Sequence, residues 1–254
     1  MNKPIVIKIG GSTFGKGETV IEDLVALQKE GYSLVVFHGG GNEVTSWLKL
    51  MGIKTKMVDG QRVTSRESLR VVVAVLAGLV NKEIVAQIQV KGGRAVGLSG
   101  VDGRMLEAEV QTKTHGLVGE VVKVNIEPLQ MIMEKGYMPV VAPPSYGVGS
   151  VKILNVNGDP ASGALAAALQ AEKLIMLTDV AGVLDKKGQL LEKLDRDKIQ
   201  ALIASGVIAG GMIPKVKACL RALEGASAAQ IIDGRAPHSV IDAVKGKKIG
   251  TIIV

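Results

Sequence analysis

Two periodicities divide the chain. Short, unbroken apolar runs rich in Val, Ile and Leu read as buried strands at 4–9, 33–38, 94–99, 137–142, 173–178 and 229–233, with a last strand in the terminal TIIV. Between them lie segments of helical period. A T-x-x-E capping box at Thr19 and Glu22 predicts a helix that stops at Gly31. Residues 42–51 read as a second helix. A second box at Thr64 and Glu67 opens a long one through about residue 90. Further helices are predicted at 126–135, from Asp159 as N-cap and Pro160 as first helical residue to about Gln170, near 196–205, at 213–224 and near 238–245. Residues 53–63 and 145–157 read as hairpins, and 104–125 as β-rich excursions.

Strands alternating with helices predict an α/β fold with a mostly parallel central sheet covered on both faces. In such sheets ligands bind at the carboxyl ends of strands. Glycine clusters stand at two such ends, Gly10-Gly11 and Gly39-Gly40-Gly41. The chain shows no internal repeat and no obvious linker, so its 254 residues read as one domain.

Composition narrows the classes. At 47% apolar residues a large core is available, but aromatics are only 2%, so it must be aliphatic. A net charge of +7 suits an anionic small substrate or an acidic partner as well as a solvated basic surface. Nucleic acid is disfavoured, because few aromatic rings could stack on bases and no dense basic block exists. The single cysteine, Cys219, excludes a disulfide framework and reads as a small buried residue. The longest apolar run, 71–80, is too short to span a bilayer, and Lys8 interrupts the only early one. A cytoplasmic protein without a membrane segment is expected.

The candidate chemistry is a set of weak signals. Gly10 to Lys16 spells G-x-x-x-x-G-K, but the next residue is Gly17 where a Walker loop needs a magnesium-binding hydroxyl. Lys8 is a different candidate. A lysine inside an apolar strand costs desolvation unless it is paired or faces an anion, and Gly10 and Gly11 follow it with bare backbone N–H groups; it could equally be an edge residue reaching solvent. His38-Gly39-Gly40-Gly41 matches a lipase oxyanion motif, but no G-x-S-x-G accompanies it. The triplet reads as a second anion cradle at a helix N-terminus or as a tight turn, and His38 as a packed strand-end residue. Asn155, Asn157 and Asp159 fall at alternate positions, on one face of an extended segment. Gly210-Gly211-Met-Ile-Pro-Lys215 puts a lysine in a helix's first turn against the dipole, a conflict that a bound anion would remove. Arg62 can grip a carboxylate with two hydrogen bonds. Two glycine cradles, two lysines, an arginine and a carboxylate together suggest phosphoryl transfer to a carboxylate.

Seven motifs in order, K-I-G-G-S (8–12), H-G-G-G (38–41), D-G-x-R-V-T (59–64), G-L-S-G-x-D-G (97–103), N-x-N-x-D (155–159), L-T-D-V-x-G-V (177–183) and G-G-M-I-P-K (210–215), resemble the amino-acid kinase family over nearly the whole chain. Their spacing is similar to the members that phosphorylate N-acetylglutamate. The resemblance implies a three-layer α/β/α sandwich, with the acyl acceptor in the N-terminal half, 1–170, and ATP in the C-terminal half, 171–254. It implies that Lys8 and Lys215 approach the transferring phosphoryl group, that Asp159 orients them, and that Gly10, Gly11, Gly40 and Gly41 supply backbone donors. Arg62 and Asn155 would hold the substrate's non-reacting carboxylate, with Asn157 beside them. Thr178, Asp179, Val183, Gly210 and Gly211 would lie on the nucleotide side, with Mg²⁺ held mainly by the ATP phosphates.

Two departures set alternatives. Gly158, where the family often has alanine, resembles the kinase that phosphorylates aminoadipate or glutamate on an acidic carrier protein, and the positive charge would suit that carrier. D-G-Q-R-V-T favours free N-acetylglutamate. A non-catalytic nucleotide sensor on the same fold should have lost Lys8, Lys215 or Asp159. The start of the chain close to the first strand leads one to expect a homodimer without arginine feedback.

Overall fold

The computed structural model describes residues 3–11, 18–58, 61–149 and 152–254. In chain order the elements are β1 (Ile5–Ile9), α1 (Glu18–Lys29), β2 (Leu34–His38), α2 (Gly41–Leu50), β3 (Met57–Val58), β4 (Gln61–Arg62), α3 (Arg66–Val73), α4 (Asn81–Val90) and β5 (Ala95–Gly100). Then come β6 (Leu106–Val110), β7 (Val118–Val124), α5 (Glu127–Glu134), β8 (Met138–Gly147), β9 (Ile153–Val156), α6 (Gly158–Ala168) and β10 (Lys173–Thr178). The chain finishes with β11 (Lys193–Leu194), α7 (Arg196–Ala204), α8 (Met212–Ala222), β12 (Ala229–Asp233), α9 (Ser239–Val244) and β13 (Thr251–Ile253).

One sheet runs β11-β13-β12-β10-β1-β2-β8, where it forks: β5 continues beside the first half of β8, while β6, β7 and β9 extend its second half. The central pairings, β12–β10–β1–β2–β8–β5, are all parallel. Antiparallel pairs occur toward the ends, at β12–β13, β6–β7 and β8–β9. Apolar alternation in β1 assigns the two faces. Ile5, Ile7 and Ile9 join the core with residues of α1, α2, α3, α4 and α9, while Val6 joins the core with those of α5, α6, α7 and α8. This is the expected α/β/α sandwich. Cys219 is buried within it, and burial raises its thiol pKa.

Three predicted helix starts are corrected. Ser65, not Thr64, caps α3, exchanging hydrogen bonds with Ser68 rather than Glu67. The Thr64 hydroxyl is instead donated to the Arg62 carbonyl at 2.9 Å. Thr19 lies inside α1, and its Oγ1 accepts from the His238 backbone N–H. Asn157, not Asp159, caps α6 by accepting from the Asp159 N–H at 3.0 Å. The Thr64 hydroxyl also accepts from the distant Asn155 side chain and the Asp159 carboxylate pairs with two lysines, so the caps of α3 and α6 fall to their neighbours. The long helix is real, though residues Ala74–Val80 widen to π geometry between α3 and α4. The stretch Arg66–Val90 is 25 residues long and apolar enough to cross a membrane. Here its apolar side, including Val71, Val75, Leu76, Val80, Ile84 and Ile88, is packed onto the sheet core.

Small residues set the spacing of α6 and α8. A Cβ on Gly163 of α6 would lie 2.3 Å from the Ala218 carbonyl oxygen of α8. Gly163→Ala should therefore push the helices apart. Overpacking costs ~1–3 kcal/mol and here outweighs the ~1 kcal/mol that alanine gains in a helix. A fall of the thermal midpoint by about 2–6 °C is expected; an equal or higher midpoint would contradict the close approach.

Candidate functional site

Lys8 shares the face of Val6, so the strand's period points it away from α1 and toward α6 and α8. There it meets Asp159 in the first turn of α6, in an ion pair between Nζ and Oδ1. Lys215, in the first turn of α8, donates to the other carboxylate oxygen, Oδ2, at 2.8 Å. Lys8 and Asp159 are both under a tenth exposed. Burial lowers the Lys8 pKa, reinforced by Lys215 and opposed by Asp159. Burial pushes the Asp159 carboxyl upward, but Lys8 and Lys215 together hold it below its ordinary value. Two ammonium groups around one carboxylate leave a net charge of +1 in a poorly solvated place, which favours an anion beside them.

Two glycine turns close over this triad. Gly39 donates its N–H to the Ile9 carbonyl at 2.9 Å, tying the end of β2 to the end of β1. A Cβ on Gly11 would lie 3.2 and 3.3 Å from the backbone nitrogens of Gly40 and Gly41. Gly40 has φ +145°, a region glycine accepts without strain, and a Cβ there would strike Leu76 at 2.7 Å. Gly40 is the N-cap of α2, and no side chain caps that end. Its first backbone N–H groups have no intrahelical partner, which makes the helix start an anion cradle.

A cleft of about 250 Å³ runs from these turns, lined at one end by Lys8, Gly11, Gly40 and Asp159 and including Arg62 and Asn155. The Arg62 guanidinium is held by the Thr55 hydroxyl at 2.9 Å, the Thr45 hydroxyl at 2.5 Å and the Gly41 carbonyl at 3.3 Å. Asn155 donates to the Thr64 hydroxyl at 3.0 Å. Thr64 sits in the D-G-Q-R-V-T motif, but nothing in its spacing predicts that contact. Thr45 carries no local signal at all; only the packing of the β3–β4 hairpin against α2 brings it to Arg62. Gln61, Val118 and Pro143 also line the cleft and went unpredicted.

The residues assigned to the nucleotide side lie across the sheet. Thr178 ends β10, beside β1, and its hydroxyl donates to Asp179 at 3.3 Å. Val183 is buried; its N–H is donated to the Thr251 hydroxyl at 2.8 Å and its carbonyl accepts from the Leu191 N–H at 2.8 Å. Gly210 and Gly211 lead exposed into α8, the helix of Lys215. Ser12, Gly15, Lys16, Gly17, Asp59 and Gly60, and with them the Walker-like lysine, lie outside the described residues.

The Asp159 ion pairs give a pH dependence of definite sign. A carboxyl whose folded pKa is depressed adds stability above its unfolded pKa, about 4, and loses it as pH falls through the lower folded value. Asp159→Asn leaves two ammonium groups facing each other, at a cost of about 3 kcal/mol at pH 7. In urea unfolding, the gap between wild type and variant should be full from pH 7 to 5 and close below about pH 4. No gap at pH 7, or one unchanged to pH 2, would contradict the pairing.

Comparison with known proteins shows the family. Residues 3–233 match the amino acid kinase family. The acetylglutamate kinase of Caldanaerobacter subterraneus subsp. tengcongensis is 46% identical over 261 residues, covering 99% of this chain and 87% of its own. That of Dehalococcoides mccartyi is 42% identical over 257 residues, covering 99% and 94%. Among solved structures, smu.665 from Streptococcus mutans superposes with a TM-score of 0.86 at 30% identity, covering 100% of this chain and 99% of that one. With its family matched over most of its length and its fold shared, the chain belongs to the amino acid kinase family.

Proposed function

We propose that this protein transfers the γ-phosphoryl group of ATP to the side-chain carboxylate of N-acetyl-L-glutamate, a step of arginine biosynthesis. The relatives named acetylglutamate kinase, matched along almost their whole length, support that acceptor. The observation that carries the mechanism is the buried Lys8–Asp159–Lys215 triad at one end of a cleft that also contains Arg62 and Asn155.

In this reading the acceptor lies in the cleft, within the 1–170 half. Arg62 and Asn155 hold its non-reacting carboxylate, and Asn157 lines the same region. ATP binds within the 171–254 half, past Thr178, Asp179, Val183, Gly210 and Gly211. A carboxylate oxygen of the acceptor attacks the γ-phosphorus. The new O–P bond gives an acyl phosphate, and the bond to the β-phosphate oxygen breaks to release ADP. The attacking group is already ionised at pH 7, so no base is needed. Lys8 and Lys215 neutralise charge on the transferring oxygens, while Gly10, Gly11, Gly40 and Gly41 present N–H groups. Asp159 fixes both lysines by one oxygen each. That commitment makes it a poor magnesium ligand, and Mg²⁺ fits as an ion carried in by the nucleotide phosphates. A cytoplasmic homodimer acting on small molecules completes the reading.

The carrier-bound alternative is not favoured. Its one local sign was Gly158, but a Cβ there would make only ordinary contacts, 3.5 Å from the Phe37 ring and 3.7 Å from Lys8. Glycine at that position therefore does not mark a different acceptor. A nucleotide sensor would have no use for an intact triad.

The test is acyl phosphate formation trapped with hydroxylamine. N-acetylglutamate should give hydroxamate where glutamate, aspartate and carbamate do not. Lys8→Met and Lys215→Met keep the stem and remove the charge, and each should lower kcat about 10²–10³-fold. Unchanged turnover in either would remove that lysine from the reaction; silence of the wild type with N-acetylglutamate would overturn the acceptor. Arg62→Ala should raise the KM for N-acetylglutamate roughly tenfold or more with a smaller effect on kcat. An unchanged KM would take Arg62 out of the substrate site.

A further inference from the structure

The H-G-G-G motif contains a histidine that phosphoryl transfer leaves without a role. His38 ends β2 on the sheet face opposite Lys8, and it is 1% exposed. Its Nδ1 lies 2.7 Å from the Gly39 carbonyl oxygen, and its Nε2 lies 3.2 Å from the Asn81 Nδ2. A carbonyl can only accept, so Nδ1 carries the proton and Nε2 accepts from the Asn81 amide. Asn81 is oriented independently of the ring. Its Nδ2 also donates to the Val140 carbonyl at 2.9 Å, and its Oδ1 accepts from Lys82 Nζ at 2.9 Å. Gly97 of the G-L-S-G motif makes the room, since a Cβ there would lie 2.0 Å from Asn81 Oδ1. Burial, aided by the charges of Lys8 and Lys82 and opposed by the bond to Gly39, brings the ring's pKa to about 4. The imidazole is neutral throughout the physiological range.

A trans peptide carries its C=O and N–H on opposite sides. With the Gly39 carbonyl held toward the ring, the Gly40 N–H of the same peptide points the other way. Gly11 packs closely on this peptide: a Cβ there would come 3.2 Å from the Gly40 nitrogen. The Gly39 N–H is fixed too, on the Ile9 carbonyl. The turn is thus held at two points, the Gly39 N–H on the Ile9 carbonyl and the Gly39 carbonyl on the His38 Nδ1–H.

We propose that His38 is a positioning residue: the chain Asn81–His38–Gly39 locks one tautomer and thereby aims the Gly40 N–H at the phosphoryl group in flight. This rests on the phosphoryl-transfer reading. His38 touches no reacting atom, and its effect reaches the transition state through the Gly39–Gly40 peptide.

Two substitutions separate positioning from packing. His38→Phe keeps the ring's bulk and removes the donor. His38→Asn leaves a cavity but can place an amide N–H where Nδ1–H stands. His38→Phe should lower kcat about 10²-fold, the scale of one misaimed oxyanion donor, with the N-acetylglutamate KM within about threefold. His38→Asn should recover at least about a tenth of wild-type kcat, although its thermal midpoint falls as far or further. Asparagine no better than phenylalanine, or an unaffected kcat in His38→Phe, would overturn the proposal. Imidazole ¹⁵N spectra of the wild-type enzyme test it without any variant. The neutral Nδ1–H form is expected from pH 5 to 9, with the Nδ1 signal shifting when a non-hydrolysable ATP analogue and N-acetylglutamate bind. An Nε2–H tautomer, or a signal indifferent to both ligands, would overturn it. A wild type inactive on N-acetylglutamate would instead sink the acceptor assignment, which the tautomer spectrum does not touch.

Discussion

A lysine ammonium inside an apolar strand is the constraint on which the rest of this structure depends. Lys8 sits between Ile7 and Ile9 in the middle strands of a parallel sheet, covered on both faces. Its charge is tolerable there only with a carboxylate in contact and further polar groups around it. Asp159 supplies the carboxylate, and to do so α6 must begin directly over the end of β1. Lys215 shares that carboxylate, so α8 must lie against α6. The small residues of α6, Gly163 above all, permit that approach, because any Cβ there meets the Ala218 backbone.

The same strand period that aims Lys8 at α6 aims His38, one strand over, at α4. The two faces of the sheet thus carry different duties at one end. One face presents charge to the site, and the other holds the glycine turn that crosses the strand ends between them. The π-widened turn of the long helix belongs to this second support. It places Leu76 and Val80 against Gly40 and leads into Asn81. Irregular helix geometry of this kind is often found where a helix backs a functional site.

The cleft is built from opposed needs. At the triad end, cations and backbone donors converge where the proposed reaction passes charge from one anion to another. At the Arg62 end, hydroxyls of Thr45 and Thr55 hold a guanidinium in place, which in the proposed reaction lowers the entropic cost of binding a substrate carboxylate. The protein's +7 net charge is spread well beyond this site, but its local excess is what two anionic reactants experience.

The sequence by itself determined the layers and the kind of chemistry. Strand and helix periods are local, so 173–178 and 229–233 emerge as strands with their ends as read, and the glycine pairs after strands mark where anions can approach. Lys8 was legible because a charge in an apolar run is a conflict that demands a partner. Which partner was not legible, since Asp159 has an ordinary local use as a helix cap. Only in three dimensions does Asn157 take the cap and free both carboxylate oxygens for lysines 151 and 56 positions away in the chain. The same holds for Thr45 on Arg62, Thr64 on Asn155 and Asn81 on His38. Sequence period fixes which face a side chain occupies, but which distant side chain meets it there is decided by sheet order and helix spacing, and those depend on the packing of the whole core.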